Sequence, residues 1–180
     1  MLVITVPATE MFDDSKQEFI QVKEQTLQLE HSLVSLSKWE SKWNKAFFSK
    51  EPKTANETID YIKCMTITQN VKPEVYSRLT NKNIDDINKY IEAPMTATTF
   101  SNISQNGGSR EVVTSELIYY WMIALNVPME CQKWHLNRLL TLIRVCNIKN
   151  TPPKKMNRRE IMSRNAALNA ARRKQLKSKG

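Results

Sequence analysis

The chain has 180 residues, 41% of them hydrophobic, which is enough for one domain with a packed core and low for several. Three glycines and seven prolines are too few for the corners of a many-stranded sandwich or barrel, so a mainly helical fold is expected. The net charge of +9 is unevenly placed: residues 149–180 carry eleven Lys and Arg against one acid, Glu160, while the preceding 148 residues hold 16 basic and 17 acidic groups, so a basic tail follows a near-neutral body.

Leu2-Val-Ile-Thr-Val6 is apolar and β-branched, and after a polar turn at Asp13–Gln17 comes Glu18–Lys23, where Ile20 and Val22 alternate with Gln21 and Lys23. These two runs predict a β-hairpin, packed on the following helix because two strands alone are marginal in water. Leu27 and Leu29 continue the alternation up to Ser32, whose hydroxyl suits a helix N-cap. From Ser32 to Phe48 the residues Leu33, Leu36, Trp39, Trp43 and Phe47 recur at spacings of three and four, which predicts an amphipathic helix whose tryptophans belong to the core. Thr54 and Glu57 form a capping box for a second helix, carrying Ile59 and Ile62 and running to about Thr68.

Pro73 opens a brief helix with Val75, Tyr76 and Leu79, and Asn83 is expected to cap another brief one over Ile84–Ile91, with Asp85 and Asp86 at its start. Residues 93–110 are rich in Thr, Ser and Asn and contain Gly107-Gly108, and read as a mobile loop. Val113, Leu117, Tyr120, Trp121 and Ala124 then mark a helix that stops before Pro128. A second helix is predicted over Glu130–Asn147, with Leu136, Leu139, Leu140, Ile143 and Cys146 as its stripe, joined to the first by a short Asn126-Val-Pro turn as an antiparallel hairpin. Pro152-Pro153 ends the packed region, and the segment from Asn157 to Leu176 has helix-forming composition but sparse apolar points. The fold class expected is mainly α (α+β): a body over residues 1–150 with an N-terminal β-hairpin, and a basic, partly helical tail over 151–180.

Chemistry is thinly supplied. Two histidines, no phosphate-binding glycine motif, no HExxH and no nucleophile elbow leave no route to catalysis, so no enzymatic activity, metal or cofactor is expected. Cys64, Cys131 and Cys146 lack CxxC spacing and read as buried free thiols in a reducing compartment. No stretch reaches the roughly 20 apolar residues of a membrane span, and the N-terminus has no basic region before its apolar run, so no membrane association is expected. Trp134-His135-Leu-Asn-Arg138 is the densest cluster of large polar-tipped side chains, with ring and guanidinium spaced to stack. It serves either as a recognition surface or as core with a satisfied histidine beside it. Trp121, Trp134, His135, Arg138 and Arg144 are the candidate partner-binding residues.

In the tail, Lys154, Lys155, Arg158, Arg159, Arg164, Arg172, Arg173 and Lys174 form the candidate electrostatic surface. It can neutralise phosphates, dock on an acidic protein, or simply keep the end solvated, and charge alone does not choose. No aromatic residue follows Lys149, which disfavours a dedicated single-strand binder.

The segments Leu27–Trp43, Trp134–Cys146 and Ala171–Lys177 resemble proteins of tailed bacteriophages, in particular the tail assembly chaperones of long-tailed phages. The resemblance spans nearly the whole chain and implies a non-enzymatic role in the host cell cytoplasm. Such proteins bind the tape-measure protein, keep it soluble and recruit the major tail protein around it; oligomers are compatible with this. The competing expectation is a structural virion protein of the neck, connector or tail, whose basic end contacts DNA or a neighbouring subunit. On the chaperone reading, the helical hairpin over residues 110–147 offers the partner groove and the tail adds electrostatic capture.

Overall fold

A computed structural model of the chain describes residues 1–13, 17–100, 112–152 and 157–176. Its N-terminal alternation forms four strands, β1 (Leu2–Val6), β2 (Thr9–Asp13), β3 (Glu18–Val22) and β4 (Gln25–Leu29). The partner of β1 is β4, with Leu2 facing Leu29 and Val6 facing Gln25, and not the expected Glu18–Lys23 segment. That segment pairs instead with β2, Thr9 facing Val22, so both ladders belong to one long hairpin in a single register. The ladder lapses where Pro7 and Ala8 lie opposite Lys23 and Glu24, because proline has no amide to contribute. In the inner half Ile4, Val6, Leu27 and Leu29 are buried, each burial contributing about 1.5–3 kcal/mol, whereas further out Ala8, Glu10, Gln21 and Lys23 are exposed.

The helical body begins with α1 (Leu33–Trp43), which Ser32 caps as expected by accepting from the Ser35 amide at 3.2 Å. It ends earlier than Phe48. Asn44 turns left-handed at φ 50°, and the chain folds back so that the Phe47 amide donates to Glu40 Oε1 at 2.7 Å. The Phe47 ring then packs against Trp39 and Tyr61, at centroid distances of 5.2 and 4.3 Å. Its apolar spacing therefore reflected burial in a turn and not a further helical turn. Trp39 is fully buried, with its indole N–H donating to the Glu57 carbonyl at 2.8 Å, while Trp43 is only half-buried.

The Thr54–Glu57 capping box is present in α2 (Ala55–Met65), where the Glu57 carboxylate accepts from the Thr54 amide and from Lys45 Nζ, both at 2.7 Å. The Lys45 hydrogen bond holds Glu57 below the usual carboxylate range. The helix stops at Met65 and not Thr68, because Thr66 turns extended and bridges to Leu29 of β4. After the 3-10 turn Pro73–Arg78 comes α3 (Asn81–Glu92). Its cap is Thr80; Asn83 is the third helical residue and returns the bond, so the helix is a turn longer than expected and Asp85 and Asp86 fall beyond its first turn. Asn83 also donates to the Thr5 carbonyl at 3.2 Å, fastening α3 to the outer edge of β1.

Residues 93–100 have no regular structure, and the remainder of the expected loop, with Gly107 and Gly108, lies outside the described residues. The helix α4 (Ser115–Ala124) buries Ser115, Ile118 and Met122, a different face from the stripe expected from Leu117, Tyr120 and Ala124. Its connection to α5 (Leu136–Asn150) is not a short turn: Asn126 is left-handed and Pro128 leads into the 3-10 turn Met129–Lys133. Consequently the helix predicted from Glu130 starts only at Leu136, after Trp134 turns extended. Its buried residues are Leu136, Leu139 and Ile143, while Leu140 and Cys146 are half-buried. Of the three free cysteines only Cys131 is fully buried.

The chain divides into two compact units, Met1–Asn147 and Ile148–Gly180. In the second, α6 (Arg158–Leu176) is exposed wherever its side chains are described. No described helix is long and apolar enough to cross a membrane.

Candidate functional site

The run Leu117-Ile-Tyr-Tyr-Trp-Met-Ile-Ala124 is apolar or aromatic at every position, a composition suited to a helix covered on all sides. Yet the fully buried residues of α4, Ser115, Ile118 and Met122, lie on one face, packed chiefly against α1. Tyr120 and Ile123 are 63% and 67% exposed. Beside them an open groove of about 380 Å³ separates α4 from α5, lined by Trp121, Ala124 and Leu125 on one side and Leu140, Ile143, Arg144 and Asn147 on the other. Tyr120, one turn before Ala124, extends the apolar surface outward from this groove.

The walls are fixed by the body. Leu139 and Ile143 anchor α5 in the core while leaving Leu140 half-exposed, and the Tyr119 hydroxyl donates to Gln132 Oε1 at 2.9 Å, tying α4 to the connecting 3-10 turn. The Arg144 guanidinium lies 4.0 Å from the centroid of the Phe100 ring, placing a cation stacked on an aromatic at the rim. The groove is thus a mainly apolar slot whose polar lining is Arg144 and Asn147.

Trp121 and Arg144 therefore share one site. Trp134 and Arg138 form a separate pair, with the guanidinium 4.2 Å from the indole centroid, and the arginine end exposed. His135 belongs to the interior. Its Nε2 donates to the Tyr90 carbonyl at 2.9 Å and its Nδ1 accepts the Asn137 amide at 3.3 Å, so neither ring nitrogen is left for a partner. Burial lowers its pKa, partly opposed by the Tyr90 hydrogen bond.

Next to it lies His31, with ring centroids 5.1 Å apart. The Tyr61 hydroxyl, held protonated by burial, shares a hydrogen bond with His31 Nδ1 at 2.5 Å. Burial first, and then the facing His135, push the His31 pKa down to about 4, so both imidazoles are neutral at pH 7. The pair joins two chain segments, since the Leu136 amide donates to the His31 carbonyl at 2.7 Å and Ser32 bridges to His135.

Arg158, Arg159, Arg164, Arg172, Arg173 and Lys174 all lie exposed on α6, and Lys154 and Lys155 lie outside the described residues. Among the described residues no three His, Cys, Asp or Glu side chains converge as metal ligands would. Sequence periodicity missed Leu125, Leu140 and Ile143 as groove walls and Phe100 as the partner of Arg144. The unbroken apolar run of residues 117–124 is the one signal that could have pointed to them, because it offers more apolar faces than a surface helix can bury. No family model, curated protein or solved structure matches the chain.

Proposed function

We propose that the protein is a non-enzymatic binding protein that shelters an apolar helical segment of a partner in the groove between α4 and α5. The observation that carries this is the run Leu117–Ala124 of α4, apolar or aromatic at every position and left exposed at Tyr120, Ile123 and the groove wall. Such a surface costs solubility unless something covers it in use. Together with the resemblance to phage tail assembly chaperones, it supports a role in tail assembly: the partner is the tape-measure protein, held soluble in the host cytoplasm until the major tail protein polymerises around it.

The test is co-expression of the chain with a phage tape-measure protein from the same genome, reading soluble yield and co-purification. Tyr120→Glu should leave the melting temperature within a degree or two, because the side chain is largely exposed. The same substitution should weaken co-purification at least tenfold, as expected for a charge placed at the rim of an apolar contact. Equal yield of soluble tape-measure protein with wild-type chain, with the variant and with no chain at all would remove the chaperone reading.

A further inference from the structure

We infer that α6 is a double-stranded DNA-binding helix that lies in the major groove, a role independent of the α4–α5 groove. The helix spans Arg158–Leu176 and carries Arg158, Arg159, Arg164, Arg172, Arg173 and Lys174 against a single acid, Glu160. Such an excess of cations complements a polyanion, and the arrangement selects which one.

At 100° per residue the six cations do not share a face: Arg158, Arg164 and Arg172 project to one half of the circumference, and Arg159, Arg173 and Lys174 to the other. An acidic protein surface meets a helix from one side and would leave half of these charges in water. An anionic membrane requires an apolar face opposite a basic one; in α6 Ile161, Met162, Leu168 and Leu176 fall within about 120° of the circumference, but Arg158 and Arg172 project from that same arc and interrupt it. Duplex DNA differs from both, because a helix seated in its major groove has phosphates along both flanks.

The shape agrees. Between the terminal clusters, Asn165-Ala-Ala-Leu-Asn-Ala-Ala171 has small or short side chains except Leu168, giving a slender middle that can approach the floor of a groove roughly 12 Å wide. Asn165 and Asn169 lie on this stretch at i, i+4 spacing and carry the donor and acceptor pair that matches adenine edges. Arg159 and Arg172 are thirteen residues apart, about 20 Å along the axis, so the clusters reach phosphates on either side of the inserted middle. Without aromatics, the helix has nothing on which unpaired bases could stack, and the deep, narrow major groove of double-stranded RNA does not admit it.

The experiment is fluorescence anisotropy of the full chain with a labelled mixed-sequence 20-base-pair DNA duplex across salt concentrations. Affinity should fall roughly a thousandfold between 50 and 200 mM salt, as six phosphate contacts require. Two triple variants, R158A/R159A/R164A and R172A/R173A/K174A, should each weaken binding at least tenfold and flatten the salt slope by about half. Alanine preserves helix propensity, so circular dichroism should show unchanged helicity. Competition by a single strand of the same sequence, by double-stranded RNA, by polyglutamate or by phosphatidylserine vesicles should each be at least tenfold weaker at equal anionic charge. Any of these competing as well as the DNA duplex, or either triple variant binding like wild type, overturns the assignment.

Discussion

Replacing Glu40 with alanine is expected to destabilise the protein by about 4 kcal/mol, a large share of the stability of a domain this size. The carboxylate is buried and holds together segments distant in sequence: one oxygen accepts the Phe47 amide and the other the Ser115 amide, both at 2.7 Å. Ser115 opens α4, so the negative charge also sits where the helix dipole favours it. Alanine leaves two amides without acceptors, each costing about 1–3 kcal/mol where it is buried, as the Ser115 amide is. Glu40→Gln keeps one acceptor oxygen and should cost about half as much. Urea unfolding of the two variants measures this directly; a Glu40→Ala loss below about 1 kcal/mol would mean that the amides find other acceptors and that Glu40 does not fasten the two segments.

Stability is expected to fall by about 3 kcal/mol as pH drops from 7.5 to 4, before the carboxylates have titrated fully. His31 has a pKa of about 4 in the folded chain against about 6.5 when unfolded. Between these values the unfolded state binds a proton that the folded state refuses, so stability is complete above pH 6.5, declines as pH falls through the window, and levels off below about 4. His135 shifts in the same direction and adds to the slope. Glu57 and Asp60, held low by Lys45 and Lys42 respectively, act later, as the pH falls through the usual carboxylate range. Denaturant titrations at pH 7.5, 6.0 and 5.0 isolate the histidines. A flat profile across those three values would contradict the burial of two neutral imidazoles, and His31→Gln should reduce the slope in any variant that remains folded.

What the sequence revealed followed the range of the interaction involved. Ser32 and the Thr54–Glu57 box were legible because a cap is completed within four residues and needs no tertiary information. The end of α1 was not, because Phe47 keeps the helical period although Asn44 has already turned the chain and Glu40 and Tyr61 hold the ring in place. Thr80 and Asn83 are both capping residues three apart, and only the surrounding packing decides which one starts the helix. The partner of β1 was hidden by Pro7, which divides one continuous hairpin into two apparent strand pairs. For the site the difficulty was different: across the unbroken apolar run 117–124 every face fits the periodicity, so the pattern could not tell the side against α1 from the side lining the groove. The Arg144–Phe100 contact joins positions 44 residues apart and has no local signal.

The shared register of the two ladders has an evolutionary and engineering consequence. Because the outer strands β2 and β3 keep the alignment of β1 and β4, cross-strand pairs can be added or deleted symmetrically about the tip without turning any inner residue over. Each added pair lengthens the projection by about 3.4 Å. A single unpaired insertion between Val6 and Thr9 would instead shift one strand against the other along the outer half. The outer half of the ribbon is thus a part of adjustable reach, whose length can be retuned while Ile4, Val6, Leu27 and Leu29 stay seated.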